Sequence, residues 1–441
     1  MTRNAAPQTP PAVLTIAGSD SGGGAGIQAD LKTIEATGGF GTSAITSVTA
    51  QNTTSVVESH LLPIDHIAAQ IEAVLEDVDV RATKTGMLAT GDVIETVVAY
   101  AEDLPELVVD PVMVAASGDR LLDPAAEDAY EDLIAEATLV TPNIDEAAVL
   151  TGIEPTDEAT AIDAGEAIVE MGADAALVKG GHIPSEDVID VLVTERKVQT
   201  FRHERIDTDA THGSGCTLSA AIASHLAQGE SLLDSVTAGI DLLARAVRYN
   251  LDVGEGPGAV HHLADVRERA ARISTAESVT DLVDEFVEVG VAPLVPEVGT
   301  NVVGATPYAE RPTEIAAVEG RITRTLDGVA PNRGVRFGAS SHVARYLLDA
   351  REVDADYRFA ANWRYDERVA TALDDLDGTV VTVNRPLTLE DRDLSPLATN
   401  ADDIVAIVDP GGEGRIPVSI VLGRTPTAIE TRTSRLLNAV E

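Results

Sequence analysis

A glycine-rich segment ahead of an apolar helix contains the only cysteine of the chain, in the order Thr211-His-Gly-Ser-Gly-Cys-Thr217. The backbone amides of Gly213, Ser214 and Gly215 would lie at the helix N-terminus, where they form a cradle for developing negative charge. Cys216 falls in the first turn, where we expect the helix dipole to lower the thiol pKa and favour its use as a base or nucleophile. A lone cysteine more often packs a helix start, but the glycines around this one favour a chemical role.

Four polar side chains follow predicted strands or open a predicted helix. Lys179 ends a short apolar strand and can neutralise phosphate charge. Asp110, Asn143 and Glu146 supply oxygen atoms suited to Mg²⁺, directly or through water. Because ligands of open α/β sheets lie beyond the carboxyl ends of the strands, we expect these residues at one site.

The lysine content supports that expectation. The chain has only four lysines, and three of them fall in or beside these loops, which weakens the alternative that they are solvated surface residues. The three are Lys32, Lys84 and Lys179.

A second glycine-rich loop, Gly18-Ser-Asp-Ser-Gly-Gly-Gly-Ala-Gly26, connects a predicted strand to a predicted helix. A dinucleotide-binding pattern would begin at Gly24, but six loop residues, 18–23, precede that glycine. The next predicted strand also ends without the acidic residue that would bind a ribose, so the spacing argues against a dinucleotide-binding loop. It is no Walker loop either, because no Gly-Lys-Ser/Thr follows. The loop is therefore either a ligand-binding loop or a tight turn without a ligand.

An arginine-rich stretch stands out in the last third of the chain. Residues 301–350 carry six Arg against five acidic residues, a local excess of positive charge in an acidic protein. Arg321 and Arg345 belong to it, and His342 opens a predicted helix between them as the only histidine beyond residue 263. Arginine binds phosphate oxygens in a bidentate manner, and a helix N-terminus with His342 could bind phosphate or move a proton. Surface ion pairs and helix capping are the alternatives.

The elements that must position these residues alternate along the first 250 residues. Short apolar strands are followed by helical periodicity, as at Val13–Ala17 and then from Gly26, which predicts a doubly wound α/β sheet with helices on both faces. Residues 188–193 and 197–201 are predicted to form a hairpin at its edge. Short strands mixed with helices after residue 275 predict a second, smaller α/β domain.

We therefore expect a polar tail at residues 1–11, a first domain at 12–263, a helical linker at 264–274 and a second domain at 275–441. The turn-rich segment at residues 252–258 marks the end of the first domain, and an amphipathic helix at 279–289 opens the second.

Composition excludes several classes of protein. In 441 residues, 31 basic and 73 acidic side chains give a net charge of −42, which argues against binding to nucleic acid or anionic membranes. One cysteine excludes a disulfide scaffold, and the absence of a long apolar run argues against a membrane span. We expect a cytoplasmic protein, and so acidic and lysine-poor a chain suggests a halophilic organism with a salt-rich cytoplasm.

Several segments together resemble one family. The order of five segments resembles that of hydroxymethylpyrimidine/phosphomethylpyrimidine kinases, in the ribokinase superfamily. The segments are Ala17–Lys32, which contains the loop at residues 18–26, Val48-Thr-Ala-Gln-Asn52, Thr85-Gly-Met87, Thr141-Pro-Asn143 and the Cys216 segment. The resemblance covers residues 12 to about 263. It implies a ribokinase-like fold and ATP-dependent phosphorylation of the pyrimidine hydroxymethyl group and then of the monophosphate.

The resemblance also implies roles for individual residues. Gln51 would hydrogen-bond the aminopyrimidine edge, Asp30 would lie in a substrate-side loop, Met87 would pack on the ring, and Gly18 belongs to the same substrate-binding set. Cys216 takes the position where sugar kinases of the superfamily have an aspartate base. ATP and Mg²⁺ would be required, with the metal held by Asp110 and Glu146, and pyridoxal kinase is the nearest alternative.

Residues 275–441 resemble the thiamine-phosphate synthase domain of archaeal pyrimidine-kinase fusions. The matching segments include Asn301-Val-Val-Gly-Ala305, Glu319-Gly-Arg-Ile322, Val335–Arg345 and Arg358–Asn362, whereas Gly414-Arg-Ile-Pro417 departs from the family pattern. The resemblance implies condensation of the pyrimidine pyrophosphate with thiazole phosphate.

In that reaction Arg321 would stabilise the departing pyrophosphate, and His342 would bind phosphate or assist proton transfer, with Arg345 as a further anion ligand. Similar domains also serve as ligand sensors, so a non-catalytic thiamine-phosphate sensor is the alternative. The expected partners are small-molecule substrates, with neither nucleic acid nor membrane, in a homo-oligomer.

Overall fold

The computed structural model divides into two compact units, one that ends at Asp265 and one that begins at Val266. It describes residues 6–114, 121–123, 126, 128–181, 183, 187–383, 397, 403–412 and 416–441. Residues 1–5 of the expected tail and residues 414–415 of the segment that departs from the synthase pattern lie outside this part of the chain.

In the first unit, the described residues form ten strands. They are β1 Ala12–Ala17, β2 Phe40–Ile45, β3 Ser47–Gln51, β4 Val56–Leu61, β5 Val80–Thr85, β6 Leu107–Val109, β7 Leu139–Val140, β8 Ala175–Val178, β9 Asp187–Thr194 and β10 Val198–Glu204. Eight of them build one sheet in the order β10-β9-β8-β7-β6-β5-β1-β2. Strands β2, β1, β5, β6, β7 and β8 run parallel, and β9 and β10 add the antiparallel edge hairpin that the sequence predicts.

Helices cover both faces of this sheet, as a parallel sheet requires. They are α1 Gly26–Ala36, α2 Ile64–Asp77, α3 Gly91–Val98, α4 Tyr130–Ala135, α5 Ile144–Thr151, α6 Glu158–Glu170, α7 Ser214–Ala227 and α8 Leu232–Arg248. One buried apolar cluster joins the sheet to α2, α3 and α4, and another joins it to α1, α7 and α8. The expectation of a doubly wound α/β sheet with helices on both faces is confirmed.

Strands β3 and β4 form a separate two-stranded hairpin outside the sheet. It follows directly on β2, and most side chains of β4 are exposed. Because an isolated hairpin is only marginally stable, its tip depends on contacts with neighbouring loops.

The second unit contains a seven-stranded sheet in the order β15-β12-β11-β16-β19-β18-β17, with a further hairpin of β13 and β14. Its strands are β11 Val302–Ala305, β12 Ile315–Val318, β13 Ile322–Thr325, β14 Gly328–Pro331, β15 Val335–Phe337, β16 Phe359–Arg364, β17 Thr379–Thr382, β18 Ile404–Asp409 and β19 Val418–Gly423. The helices are α9 Ala264–Glu288, α10 His342–Val353, α11 Glu367–Asp374 and α12 Pro426–Val440. Helices α9, α11 and α12 pack on one face of the sheet and α10 packs on the other.

Helix α9 spans both the segment expected as a linker and the helix predicted to start at residue 279. The charged residues after Asp265 belong to its first turns, and its later apolar residues Val279, Leu282 and Phe286 are buried in the second unit. Throughout the described part of the chain, every helix is too short or too polar to cross a membrane.

The single tryptophan offers a probe of the second unit alone. Trp363 is fully buried, and its ring meets Phe286 edge-on with centroids 5.1 Å apart. We expect Phe286→Ala to leave a cavity that costs about 3–5 kcal/mol, so the tryptophan fluorescence transition should move to lower denaturant. Phe201→Ala, in strand β10 of the first unit, is the control. If it moved the fluorescence transition equally, the two units would not unfold independently.

Candidate active site

The carboxyl ends of the parallel strands in the first unit open onto a cavity of about 500 Å³. The glycine loop at residues 18–26, the hairpin, the strand ends and the start of α7 all contribute to its walls. Eleven of the residues predicted for this half of the chain line it: Gly18, Gln51, Met87, Asp110, Asn143, Glu146, Lys179, Gly213, Ser214, Gly215 and Cys216.

Asp20 organises the glycine loop. Its carboxylate accepts hydrogen bonds from the amides of Gly22, Gly24 and Ala25 at 2.7, 3.0 and 2.8 Å. His212 Nε2 lies 3.1 Å from the same carboxylate. Burial alone would raise the pKa of Asp20, but these hydrogen bonds outweigh it and lower the pKa. Sequence reasoning missed this role, although Asp20 lies within the motif.

The helix start predicted as an anion cradle lines the cavity, although the amide of Ser214 donates to the carbonyl oxygen of Thr211 at 3.0 Å. Gly213 has φ +83°, and a Cβ there would lie 1.8 Å from the carbonyl oxygen of Gly24, so only glycine allows the two loops to meet. A Cβ at Gly215 would lie 3.3 Å from Lys179 Nζ and 3.6 Å from an Asp110 oxygen. The amides of the helix start, a lysine and a carboxylate thus converge on one place.

Lys179 and two carboxylates form the charged part of the cavity. Lys179 Nζ lies 3.0 Å from Asp110, which also accepts hydrogen bonds from Thr141 and Ser219 at 3.2 and 3.3 Å. Burial raises the pKa of Glu146 to about 7, with Lys179 opposing the shift and Asp110 adding to it. Glu146 also accepts a 2.8 Å hydrogen bond from the amide of Asn143.

Asp110 and Glu146 are a sparse donor set for a metal ion. Among the described residues, no group of three or more His, Cys, Asp or Glu side chains could hold a metal by itself. Two carboxylates nevertheless fit Mg²⁺, which commonly takes one or two protein carboxylates and completes its shell with water and substrate phosphates. A cation would also offset the cost of burying Glu146 in its charged form.

The expectation that Asp30 lies in a substrate-side loop is wrong. Asp30 lies in α1, is fully buried, and accepts hydrogen bonds from Lys84 at 2.9 Å on both oxygens and from Thr15 at 2.6 Å. Lys84, in contrast, lines the cavity although its side chain is fully buried. Burial alone would lower the pKa of Lys84, but the charge of Asp30 outweighs it and raises the pKa, so Lys84 stays protonated.

The expectation of a lowered pKa for Cys216 is also wrong. Burial raises the pKa of the thiol to about 11, and the positive charge of Lys84 opposes this shift without overcoming it. The amide of Gly26 also favours the thiolate, whereas Asp30 and Asp110 disfavour it. The thiol therefore rests protonated, and Lys84 is the main charge that makes its deprotonation easier.

A second cavity of about 250 Å³ adjoins the first and shares Asn143, Lys179 and Ser214 with it. Its walls combine polar residues of the edge strands with apolar side chains of α7 and α8, among them Leu218 and Ile240. Sequence reasoning did not find it, because the apolar residues of α8 follow the same periodicity as an ordinary core face.

In the second unit, a cavity of about 490 Å³ brings Arg321 and His342 together, with Ser340 and Ser341 beside them. Arg345 lies on α10 in the next turn after His342 but does not line this cavity, so its expected role as an anion ligand gains no support.

The surroundings of Arg321 and His342 are firmly fixed. Arg321 has φ +70°, a conformation costly for a residue with a side chain, and its guanidinium donates to the carbonyl oxygen of Val298. The ring of His342 meets Tyr346 edge-on at 5.3 Å, and the Tyr346 hydroxyl donates to buried Asp409 at 2.8 Å. A strained backbone such as that at Arg321 is common at functional sites.

Each unit matches a known protein family. Residues 20–261 match the family described as phosphomethylpyrimidine kinase, and residues 278–435 match the family described as thiamine-phosphate synthase ThiN.

Individual relatives each match a little over half of this chain. The chain is 45% identical over 259 residues to a hydroxymethylpyrimidine/phosphomethylpyrimidine kinase of Haemophilus influenzae, covering 57% of this chain and 96% of that protein. It is 44% identical to the thiamine biosynthesis bifunctional protein ThiED of Geobacter sulfurreducens, covering 58% of this chain and 54% of that protein. A pyridoxal kinase of Staphylococcus aureus, solved with AMP-PCP and pyridoxal, matches with a TM-score of 0.55 and 31% identity over 59% of this chain and 96% of that one.

The electrostatic arrangement around Cys216 can be tested directly, because a chain with one cysteine has one site for a thiol reagent. Alkylation by iodoacetamide should rise with pH toward an apparent pKa of about 11. Lys84→Met should raise that pKa by about one unit or more, so alkylation at a fixed pH should slow about tenfold.

Two further variants complete this test. Asp30→Asn/Lys84→Met should also slow alkylation while leaving no unpaired buried charge. Lys197→Met removes a charge from an exposed turn outside the cavity and should have no effect. An unchanged pH profile in both Lys84 variants would exclude Lys84 from the control of Cys216.

Proposed function

Since the chain belongs to the phosphomethylpyrimidine kinase family, we propose that its first unit uses ATP to phosphorylate the hydroxymethyl group of 4-amino-5-hydroxymethyl-2-methylpyrimidine and then the resulting monophosphate. The observation that carries this proposal is the single cavity in which Cys216 and the anion cradle lie with Gln51 and Met87. Such a cavity can hold a small planar alcohol and the group that phosphorylates it.

Recognition of the pyrimidine is assigned to the hairpin side of the cavity. The side-chain amide of Gln51 can both donate to and accept from an aminopyrimidine edge. A Cβ at Gly18 would lie 2.4 Å from Met87 Cε, so the glycine leaves space for the methionine along the cavity wall. Met87 can then pack against the face of the ring.

ATP is assigned to the adjoining cavity and the cradle. The apolar side chains of α7 and α8 suit the base, and the amides of Gly213 and Gly215 with Lys179 suit the phosphates. Asp110 and Glu146 would hold Mg²⁺, which would neutralise phosphate charge. Ordinary phosphoryl transfer depends mainly on such positioning and charge stabilisation, so these groups need no covalent role.

Cys216 is assigned the proton of the substrate hydroxyl. The thiol, protonated at rest, would first lose its own proton to solvent. The thiolate would then accept the hydroxyl proton while the oxygen attacks the γ-phosphorus, and the bond from that phosphorus to the departing ADP oxygen breaks. Lys84 favours the thiolate, and Asp30 keeps Lys84 charged, so both act on the reaction through Cys216. The amides of the cradle would stabilise the charge on the transferring phosphoryl group.

The second unit is proposed to couple the pyrimidine pyrophosphate to thiazole phosphate and release pyrophosphate. Its match to a thiamine-phosphate synthase family and the cavity that unites Arg321 with His342 support this assignment. Arg321 would stabilise the departing pyrophosphate, and His342 would bind phosphate or assist proton transfer. The alternative is a non-catalytic module that binds thiamine phosphate in the same cavity.

The cellular setting is a separate proposal from composition. A net charge of −42 with four lysines favours a salt-rich cytoplasm, where screening reduces the repulsion between surface carboxylates. A homo-oligomer remains a prediction.

The kinase assignment is tested by supplying the pyrimidine alcohol, ATP and Mg²⁺ to the purified chain and following ADP and both phosphorylated products. Cys216→Ala should lower turnover by about 100-fold or more while pyrimidine binding persists, because the thiol acts on the proton and not on recognition. Unchanged turnover would remove Cys216 from the mechanism. Pyridoxal is the competing substrate, and a clear preference for it would favour the alternative kinase assignment.

The synthase assignment is tested by adding thiazole phosphate to the same mixture and measuring thiamine phosphate. Arg321→Met and His342→Asn should each lower its formation by about 100-fold while the kinase rate stays unchanged. Arg333→Met is the matched control, because Arg333 is exposed, pairs with Glu319 at 3.3 Å and does not line the cavity. If the kinase is active and no thiamine phosphate forms, the sensor alternative is favoured.

A further inference from the structure

Gln51 lies at the tip of the β3–β4 hairpin and lines the substrate cavity, and two loops contact this tip. The first is the glycine loop. The Ser21 hydroxyl donates to the backbone carbonyl oxygen of Gln51 at 2.6 Å and accepts from the backbone amide of Gln51 at 2.8 Å. A Cβ at Gly22 would lie 3.5 Å from the backbone of Asn52, so the two backbones are in contact.

The second loop that contacts the hairpin tip is the turn-rich segment at residues 252–258, which we call the closing loop. The amides of Glu255 and Gly256 donate to the Thr53 hydroxyl at 3.2 and 3.1 Å. A Cβ at Gly256 would lie 1.8 Å from the Thr53 carbonyl oxygen, and one at Gly254 would lie 2.4 Å from the Thr53 hydroxyl. The glycines of this loop therefore permit a close contact with Thr53. The proposed function does not explain this contact.

The closing loop leads directly to the phosphate cradle. Ala259, the next residue after it, forms a parallel bridge with His212, and the amide of Val260 donates to the His212 carbonyl oxygen at 3.3 Å. His212 in turn lies 3.1 Å from Asp20 of the glycine loop. The hairpin tip, the closing loop and the glycine loop thus form a closed set of contacts around the cavity.

The hairpin needs such an anchor. It pairs with no other strand in the described part of the chain, and β4 is almost entirely exposed. A two-stranded hairpin is marginal by itself, so the position of its tip is set by what holds it. Thr53 is half-buried, whereas its neighbours Asn52 and Thr54 are exposed.

We propose that Thr53 is a positioning residue for substrate recognition, which anchors the hairpin to the closing loop and so holds Gln51 at the pyrimidine edge. The inference rests on the proposed function. Cys216 and the cradle belong to α7 and not to the hairpin. Loss of the anchor should therefore weaken pyrimidine binding and leave the transfer step intact.

The test compares three variants of the full chain. Thr53→Val keeps the shape but removes the acceptor of two hydrogen bonds, so KM for the pyrimidine alcohol should rise about fivefold, with kcat and KM for ATP within about twofold of wild type. Thr53→Ser keeps the hydroxyl and should restore KM. Thr54→Val is the matched control, because Thr54 bonds, among the residues that the structure describes, only to Asn52 of its own turn.

A pyrimidine KM unchanged in Thr53→Val, or raised equally by Thr54→Val, would overturn the proposal, as would a fall in kcat alone. Amide hydrogen exchange separates this failure from failure of the proposed function. In Thr53→Val the peptide covering residues 252–258 should exchange faster than in wild type whatever the substrate is. If the wild-type chain does not phosphorylate the pyrimidine, but exchange at residues 252–258 is still faster in Thr53→Val, the anchor is retained. Its role in pyrimidine recognition is then overturned together with the proposed function.

Discussion

The pairing of each active-site lysine with a buried carboxylate is the interaction on which the first cavity depends. A chain of net charge −42 repels phosphate as a whole, so its site must keep a few cations in fixed places. Lys84 is held by Asp30 and Lys179 by Asp110. Burying an ion pair is costly and contributes little to stability, whereas these two pairs fix positive charge at the cavity that we propose for phosphoryl transfer.

Close backbone approach is the second requirement of the site. The cradle and the glycine loop meet where a Cβ at Gly213 would overlap the Gly24 carbonyl, and the closing loop meets the hairpin in the same way at Gly256. Neither contact leaves space for a side chain. The cavity is therefore assembled from loops in direct backbone contact, with Asp20 and Thr53 supplying the hydrogen bonds that fix them.

The sequence was sufficient to predict the sheet and most of the first site, because motifs that follow parallel strands must meet at one edge of the sheet. It could not predict properties that depend on the folded surroundings. The position of Asp30 follows from the face of α1 it occupies, and the raised pKa of Cys216 follows from burial. The contact of Thr53 with Gly256 spans 203 residues of sequence and has no local signal.

The cavity at the glycine loop and the cavity at Arg321 have similar volumes of about 500 and 490 Å³, but they offer an anion different partners, which is consistent with two different reactions. The first combines backbone amides with lysines, a set that can stabilise a phosphoryl group in transit. The second presents an arginine on a strained backbone beside a histidine, a set suited to retain a whole pyrophosphate as it leaves. The proposed product of the first reaction carries the leaving group that the second requires. The chemistry alone therefore gives a reason for both units to occur in one chain, whatever their arrangement.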